Sequence, residues 1–408
     1  MNEPRRPPLL SLDEALARLV DGAAQHRIVQ AEPVATFDAL GRVLAVEVRS
    51  LLDVPPADNS SMDGYALRAA DVAAPGTSLP VSQRIPAGVV GQALQPGSAA
   101  RIFTGAQVPP GADVIVMQEH CEALDGMVRV NALPQPGQWI RRRGEDVMNG
   151  ATVLTAGQRL TPQAMGMAAS VGAATLQVLR RPRVALFSTG DELAMPGEPL
   201  EPGAIYNSNR FMLRGLLQAA GCAVIDLGIV PDRLDATRDA LRRAADGNDL
   251  ILTSGGVSVG EEDHLRPAVM AEGSLDLWQI AMKPGKPLAF GQVGGALFIG
   301  LPGNPVSSFV TFLLAVVPVL RTIQGMSTAA PAAYALPARF DWPRPDRRRE
   351  FVRVKLDAEG GLALFPNQSS GVLTSTVWAD GLVDIPVGQT IKRGDRVRFL
   401  PLDSLLHR

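Results

Sequence analysis

From Arg183 onward the chain alternates apolar runs with amphipathic stretches, and this alternation constrains the fold more than any other feature. Val184-Ala-Leu-Phe187 is short and wholly apolar, and a helical pattern follows over about Asn209–Ala220. Then come a strand pattern at Ala223–Val230, a helical one at Asp235–Ala245 and the apolar run Leu250-Ile-Leu252. Strand patterns near Leu277–Ala281 and Leu297–Gly300 precede a last helix that begins at about Pro305. Apolar runs of strand length belong to strands buried on both faces. Strands and helices in turn therefore predict a mostly parallel sheet between two helical layers.

The remaining sequence reads differently. Ser11-Leu-Asp-Glu14 is a capping-box pattern, followed by Leu12, Ala15 and Leu19 at helical spacing. A second helical stretch is expected near Phe37–Leu44. Between Val46 and Asp146, short β-type runs such as Ala100-Arg-Ile-Phe103 and Asp113-Val-Ile-Val-Met117 are split by Pro and Gly. Helical texture returns at Pro162–Gly172, and β texture resumes from Pro331 to the C-terminus. The expected fold is multidomain α/β plus β: a central three-layer α/β domain, a β-rich inserted domain, a helical/β linker domain and a small C-terminal β-barrel-like domain. The boundaries read as an N-terminal helix in 1–26, a linker domain in 27–45 and 147–180, the insertion in 46–146, the α/β domain in 181–328 and the C-terminal domain in 329–408.

Bulk properties exclude several classes. A net charge of −2 gives no reason to expect a nucleic-acid or membrane-surface binder. Cys121 and Cys222 are the only cysteines, so there is no disulfide framework and no CxxC metal signature. The most apolar stretch, Phe309–Leu320, falls short of the roughly 20 residues that cross a bilayer. The first residues lack a signal-peptide h-region, so a cytoplasmic protein is expected. No GxxxxGK[ST], GxGxxG or HExxH pattern occurs, and the four histidines are scattered.

What remains is a cluster of glycine-rich turns: Thr253-Ser-Gly-Gly-Val-Ser-Val-Gly260, Lys283-Pro-Gly-Lys-Pro287 and Leu301-Pro-Gly-Asn-Pro305. The chain carries 39 Lys plus Arg but only four lysines, and two of them, Lys283 and Lys286, lie in one of these turns. A chain that writes Arg nearly everywhere and Lys twice here has a use for a compact, rotatable ammonium. In open α/β sheets, ligands bind beyond the carboxyl ends of the strands. That rule gathers Ser188-Thr-Gly-Asp-Glu192, Pro231-Asp232, Ser254–Asp263 and Pro302-Gly-Asn-Pro305 at one edge. Gly255, Gly256 and Gly260 allow backbone N–H groups to approach an anion. Carboxylates at Glu192, Asp232 and Asp263, with hydroxyls and amides but no soft ligands, form a donor set suited to Mg²⁺ and a phosphate-bearing substrate. Elsewhere, Asp58-Asn-Ser-Ser-Met-Asp-Gly-Tyr65 strings polar groups along a loop, and Arg141-Arg-Arg-Gly-Glu-Asp146 closes the β-rich insertion. Ordinary turn chemistry or solvated charge accounts for these two equally well.

Taken in order, seven segments resemble one known family. They are Asp58–Ala66, Phe103-Thr-Gly-Ala106, Arg143-Gly-Glu-Asp146, Ser188–Leu193, Ser254–Gly260, Lys283–Pro287 and Pro302–Pro305, with Gln368-Ser-Ser-Gly371 and Ala379-Asp-Gly381 extending the match. They are similar to MoeA, the molybdopterin molybdenumtransferases, which are related to the C-terminal domain of gephyrin. The resemblance implies that adenylylated molybdopterin is bound, AMP is released with Mg²⁺ assistance, and molybdate is inserted at the dithiolene sulfurs. It also implies a homodimer whose cleft is shared between subunits, and contact with other proteins of molybdenum-cofactor biosynthesis. Carried over by motif, the catalytic set is Asp58, Asp63, Asp146, Glu192, Asp232, Asp263, Lys283 and Lys286, with metal ligands from Glu192, Asp232 and Asp263. Thr104, Ser188, Thr189, Gly190, Ser254, Gly255, Gly256, Ser258, Pro302, Gly303, Asn304 and Pro305 would shape the substrate pockets. Two other readings are the related molybdopterin adenylyltransferase, which needs only the α/β unit, and a non-enzymatic gephyrin-like scaffold.

Overall fold

The computed structural model describes residues 9–256, 264–326 and 330–407. The chain separates into two compact units, one formed by residues 1–32, 41–43 and 179–408, the other by 33–40 and 44–178.

In the larger unit, helix α1 (Leu12–Ala24) starts with the expected capping box: Glu14 N–H donates to Ser11 Oγ, and Ser11 N–H donates to the Glu14 carboxylate. The central sheet follows. Its elements are β1 (Arg183–Thr189), α2 (Ser208–Ala219), β2 (Ala223–Val230), α3 (Leu234–Ala245), β3 (Leu250–Ser254), α4 (Leu265–Glu272), β4 (Gly273–Gln279), β5 (Pro287–Val293) and β6 (Ala296–Leu301). The strand order is β2-β1-β3-β6-β5-β4; the first four are mutually parallel, and β5 and β4 extend the sheet antiparallel. Asp249 fixes the entry to this sheet by accepting two hydrogen bonds of 2.7 Å from the Arg180 guanidinium and one of 2.8 Å from Arg183 N–H.

Successive strand residues point to opposite faces, and the sequence fills both with apolar groups. Val184, Leu186, Leu250, Leu252, Leu297 and Ile299 pack toward α1, α2 and the helix after β6. Ala185, Phe187, Ile251 and Phe298 pack toward α3 and α4. Phe187 and Phe298 are completely buried, and each such side chain contributes about 1.5–3 kcal/mol of transfer free energy. The helix after β6 is longer than the apolar run suggests. Helix α5 (Pro305–Thr311) continues through a π-helical turn (Phe312–Val316) into α6 (Val317–Ile323). This 19-residue stretch is long and apolar enough to cross a membrane by composition, but its most apolar window is 89% buried, so its role is that of a core helix.

The C-terminal part of the unit is a sheet of β7 (Arg349–Leu356), β8 (Gly381–Ile385) and β9 (Arg396–Pro401) with Tyr334–Pro337 at its edge, closed over Phe340, Val352, Val354, Val383 and Phe399. The two-residue strand Met282–Lys283 pairs parallel with β7, placing Lys283 opposite Glu350. The sequence reading assigns the lysine turn to the α/β domain alone; in the fold it is also a strand of the C-terminal sheet.

The smaller unit is built on a six-stranded sheet ordered Val114–Met117, Gly64–Leu67, Ala99–Ile102, Thr77–Ile85, Met127–Val130 and Cys121–Leu124. Helix Pro162–Ser170 is present, capped by Thr161. The helix expected near Phe37–Leu44 is not; only a single 3-10 turn, Thr36–Asp38, forms. Gly41 takes φ +72, outside the helical region, so the chain turns there and no helix runs through to Leu44. Likewise, the strand expected at Leu277–Ala281 is β4, which starts at Gly273.

Candidate active site

At the carboxyl edge of the main sheet the parallel strands end level with one another: Thr189 pairs with Val230, Ser188 with Ser254, and Ser254 with Leu301. From β1 the chain crosses to β2 on one side and then to β3 on the other. The β1/β3 boundary is thus the switch point where a crevice opens. A cavity of about 1040 Å³ lies there, at the upper end of the roughly 300–1,000 Å³ of ordinary ligand pockets. Its wall brings together Thr189, Glu192, Ser254, Gly255, Gly256, Lys283, Lys286 and the loop Pro302–Pro305. These are expected site residues from four separate stretches of sequence.

The turns that build this wall need glycine. Gly255 has φ +91, and an added Cβ would stand 3.0 Å from the Thr189 carbonyl oxygen. Gly285, between the two lysines, has φ +104, and its Cβ would meet Thr311 Oγ1 at 2.4 Å. The Pro302–Pro305 loop is held by Asn209 Nδ2, which donates to the Gly303 carbonyl at 2.6 Å, and by Ser308 Oγ, which donates to the Pro302 carbonyl. Pro305 opens α5 at the first helical positions, where its missing N–H costs nothing.

Tyr206, Asn207, Asn209 and Arg348 join the lining from outside the motifs, and Ser369 and Ser370 from the Gln368–Gly371 segment. Asn207 is 2% exposed; its Oδ1 caps α2 by accepting from Arg210 N–H at 3.1 Å, while its Nδ2 has no protein partner. Asn209 Oδ1 is likewise unpartnered. A buried amide end left open on a cavity wall is a group whose partner is a ligand or a water. Arg353 supports the Ser369–Ser370 wall from behind, donating to Ser375 Oγ and to the Ser369 carbonyl. Burial lowers its pKa to about 10, which leaves it charged at neutral pH. In the sequence, only the Gln368-Ser-Ser-Gly371 segment hinted at this second wall.

The charges opposite Lys283 come from far along the chain. Its ammonium lies 2.8 Å from Glu350 Oε1 and 3.4 Å from Asp346 Oδ2, both from the C-terminal segment. The Glu350 carboxylate, with Asp346 adding to it, holds Lys283 above the ordinary lysine range. Asp346 is in turn gripped by Arg348, which lowers its pKa to about 2. Arg348 and Arg349 of this basic run are thus both held in ion pairs, Arg349 with Asp384.

The expected acids divide. Glu192 is on the cavity wall, its carboxylate folded against Gly190. Asp232 is outside the wall, and its N–H donates to Asp191 Oδ1 at 3.1 Å. It does not cap α3, whose N-cap is Arg233. Ser188 is fully buried below the rim with its Oγ 3.4 Å from Ser254 Oγ, and neither it nor Gly190 lines the cavity. Ser258 and Asp263 lie outside the described residues. Among the described residues no group of three or more His, Cys, Asp or Glu could hold a metal ion. Mg²⁺, however, commonly takes one or two carboxylates and completes its shell with water and substrate phosphate. The oxygen-rich wall carrying Glu192 fits that requirement.

In the smaller unit, Asp58 accepts from Arg142 Nη1 at 2.7 Å and from Arg143 N–H at 2.8 Å, and the Arg143 N–H bond foremost lowers its pKa. Arg143 itself pairs with Asp53. Asp63 accepts from Thr104 N–H at 2.8 Å and Thr104 Oγ1 at 2.7 Å, which keeps its pKa low. Asp146 is exposed, and its N–H donates to the Val54 carbonyl. Asp58, Asp63, Thr104 and Asp146 are thus tied into the loops 53–63, 103–106 and 141–147.

Comparison with known proteins covers almost the whole chain. Residues 10–172 match the MoeA N-terminal region (domain I and II), 185–322 match a probable molybdopterin binding domain, and 335–402 match the MoeA C-terminal region (domain IV). The chain is 43% identical over 319 residues to the molybdopterin molybdenumtransferase of Haemophilus influenzae, covering 78% of each protein. It is 41% identical over 363 residues to molybdopterin molybdenumtransferase 2 of Mycobacterium tuberculosis, covering 85% of this chain and 89% of that one. The crystal structure of the molybdopterin biosynthesis moeA protein from Pyrococcus horikoshii OT3 superposes with a TM-score of 0.83 at 30% identity, over 97% of this chain and 100% of that one. Matches on both sides of the α/β part disfavour an adenylyltransferase made of that part alone. With motifs, fold and relatives in agreement along its length, the chain belongs to the MoeA family.

Proposed function

We propose that this protein is a molybdopterin molybdenumtransferase: it binds adenylylated molybdopterin, releases AMP and delivers molybdate to the dithiolene sulfurs. The observation that carries the reading is the convergence of Lys283, Lys286 and Arg348 on one cavity whose other wall is a set of glycine-rich turns. Three cations in one crevice of a chain with net charge −2 suit a polyanionic substrate. Lysine supplies point-charge donors to molybdate or phosphate oxygens, and arginine a planar fork. Thr189, Ser254, Gly255, Gly256 and the Pro302–Pro305 loop bind and orient the substrate, and Ser188, Gly190 and Ser258 shape the turns that present them.

Glu192, with Asp232 and Asp263, would hold Mg²⁺ against the substrate phosphates. When bound, the ion neutralises phosphate charge as the anhydride opens. The protein works as a cytoplasmic homodimer in which Asp58, Asp63, Thr104 and Asp146 of one subunit serve the cavity of the other. The large apolar side chains left exposed in the smaller unit, Phe37 and Leu51 among them, support an association of this kind. The five-part division at residues 26, 45, 146, 180 and 328, and docking of other cofactor-maturation proteins, belong to the same proposal.

The test is incubation of the purified protein with adenylylated molybdopterin, molybdate and Mg²⁺, following AMP and active cofactor. Release of AMP that requires molybdate supports the reading. AMP formed from ATP and molybdopterin without prior adenylylation would overturn it in favour of an adenylyltransferase.

A further inference from the structure

Behind Lys283, a second hollow of about 280 Å³ is lined by Trp342, Glu350, Arg353 and Gln368; Lys283 and Pro284 line both this hollow and the main cavity. Glu350 is 3% exposed, and each of its carboxylate oxygens has its own donor. Oε1 accepts from Lys283 Nζ at 2.8 Å, and Oε2 from Trp342 Nε1 at 2.8 Å. The backbone under this pair is fixed too, because Lys283 and Glu350 are partners in the parallel pairing of Met282–Lys283 with β7. Asp346 makes a longer contact with the same ammonium and is itself held by Arg348, another cation on that wall.

A lysine on a four-carbon stem has much rotamer freedom to lose when it binds an anion. Here that freedom is removed beforehand by a carboxylate that does not line the main cavity. An ammonium has three N–H donors. Glu350 and Asp346 take two, which leaves one for a ligand. We propose that Glu350 is a positioning residue: it clamps Lys283 into the cavity wall so that a bound oxyanion meets an ammonium already in place. This rests on the reading of the cavity as an oxyanion site. The charged groups around Lys283 are Glu350 and Asp346, with Arg348 and Lys286 on the same wall, and the raised pKa of Lys283 agrees with a clamped, protonated amine.

The scarcity of lysine makes the test direct, since Lys283, Lys286, Lys355 and Lys392 are the only four. In the full-length protein, acetylation rates of the four are followed by mass spectrometry, and molybdate affinity by calorimetry. In Glu350→Gln, Lys283 should acetylate faster relative to Lys355 and Lys392, about tenfold for each unit by which its pKa falls. Molybdate affinity should weaken about tenfold, within the range for directly touching charged pairs. Glu350→Asp should restore part of both. In a Lys283→Ala background, Glu350→Gln should weaken molybdate no further.

Unchanged Lys283 reactivity in Glu350→Gln overturns the proposal, as does an equal loss of molybdate affinity whether or not Lys283 is present. If Glu350→Gln does not fold, the shortened arm of Glu350→Asp must raise Lys283 reactivity by itself, and wild-type reactivity there is equally decisive. If the wild type binds no molybdate while Lys283 reactivity still responds to Glu350→Gln, the functional reading fails and the positioning of Lys283 stands.

Discussion

Gly285→Ala isolates how the lysine turn is held. Two effects act at this position. Its φ of +104 lies where L side chains are strained, at about 1–3 kcal/mol. The added Cβ would also stand 2.4 Å from Thr311 Oγ1 and 3.1 Å from Met282 Cε, an overlap that costs about another 1–3 kcal/mol in a packed interior. Together they predict a loss of roughly 2–6 kcal/mol in urea denaturation, with weaker molybdate binding because Lys283 and Lys286 flank the shifted residue. Thr311 separates the two effects. It is fully buried and its hydroxyl has no partner, so Thr311→Ala alone should cost only about 1 kcal/mol for the lost methyl group. In the double variant the overlap is relieved while the backbone strain stays. The two substitutions should therefore couple favourably by about 1–2 kcal/mol. Strict additivity, or a Gly285→Ala variant within about 0.5 kcal/mol of wild type, would refute the account of the turn.

Three further outcomes are expected. Asn207→Ala should lose about 1 kcal/mol from the uncapped α2 as well as substrate affinity. Asn207→Ser should keep the cap and lose the affinity alone, as thermal melts and substrate titrations of both will show. The pKa of Asp346 is depressed to about 2 from 3.8, so its contribution to stability is complete above about pH 4 and disappears as pH falls through 2. Asp346→Asn should then flatten the acid limb of the urea midpoint against pH by roughly 1–3 kcal/mol, and an unchanged limb would place the acid sensitivity elsewhere. Asp58→Asn retains an acceptor for Arg143 N–H but removes a largely exposed ion pair, worth under about 1 kcal/mol. Its melting temperature should barely move while AMP release drops, and wild-type turnover would take Asp58 out of the site.

The middle of the α/β core was legible because β1, β3 and β6 are written as apolar runs whose alternate residues fill two different cores, as Leu186 and Phe187 do; β5 (Pro287–Val293) was not. The edge that holds the cavity followed from the same pattern, since strand-end turns and glycines were visible as punctuation. Helical texture near Phe37 misled because a periodic run carries no information about whether another surface will cover it. The second wall was hidden for a related reason. Arg348 is carried on the segment whose Glu350 pairs with Lys283, and the Ser370 carbonyl accepts from Val306 N–H; both links span more than sixty positions. Nothing local to the lysine turn marks Glu350, 67 positions further along, as the partner of Lys283. Long-range register, not composition, decides which carboxylate an ammonium meets.

The strand Met282–Lys283 has a consequence for how the protein comes apart. Met282 belongs to the core of the main sheet, yet its backbone is zipped to β7 of the C-terminal sheet. Any opening that unzips β7 therefore releases the lysine turn, even if the six strands of the central sheet stay intact. Occupancy of the cavity and attachment of the C-terminal sheet must then rise and fall together, because a ligand that binds only the closed form stabilises it by mass action. An anion in the crevice acts as a rivet between two folded layers, and slower amide exchange in β7 and β8 on adding molybdate would be its signature.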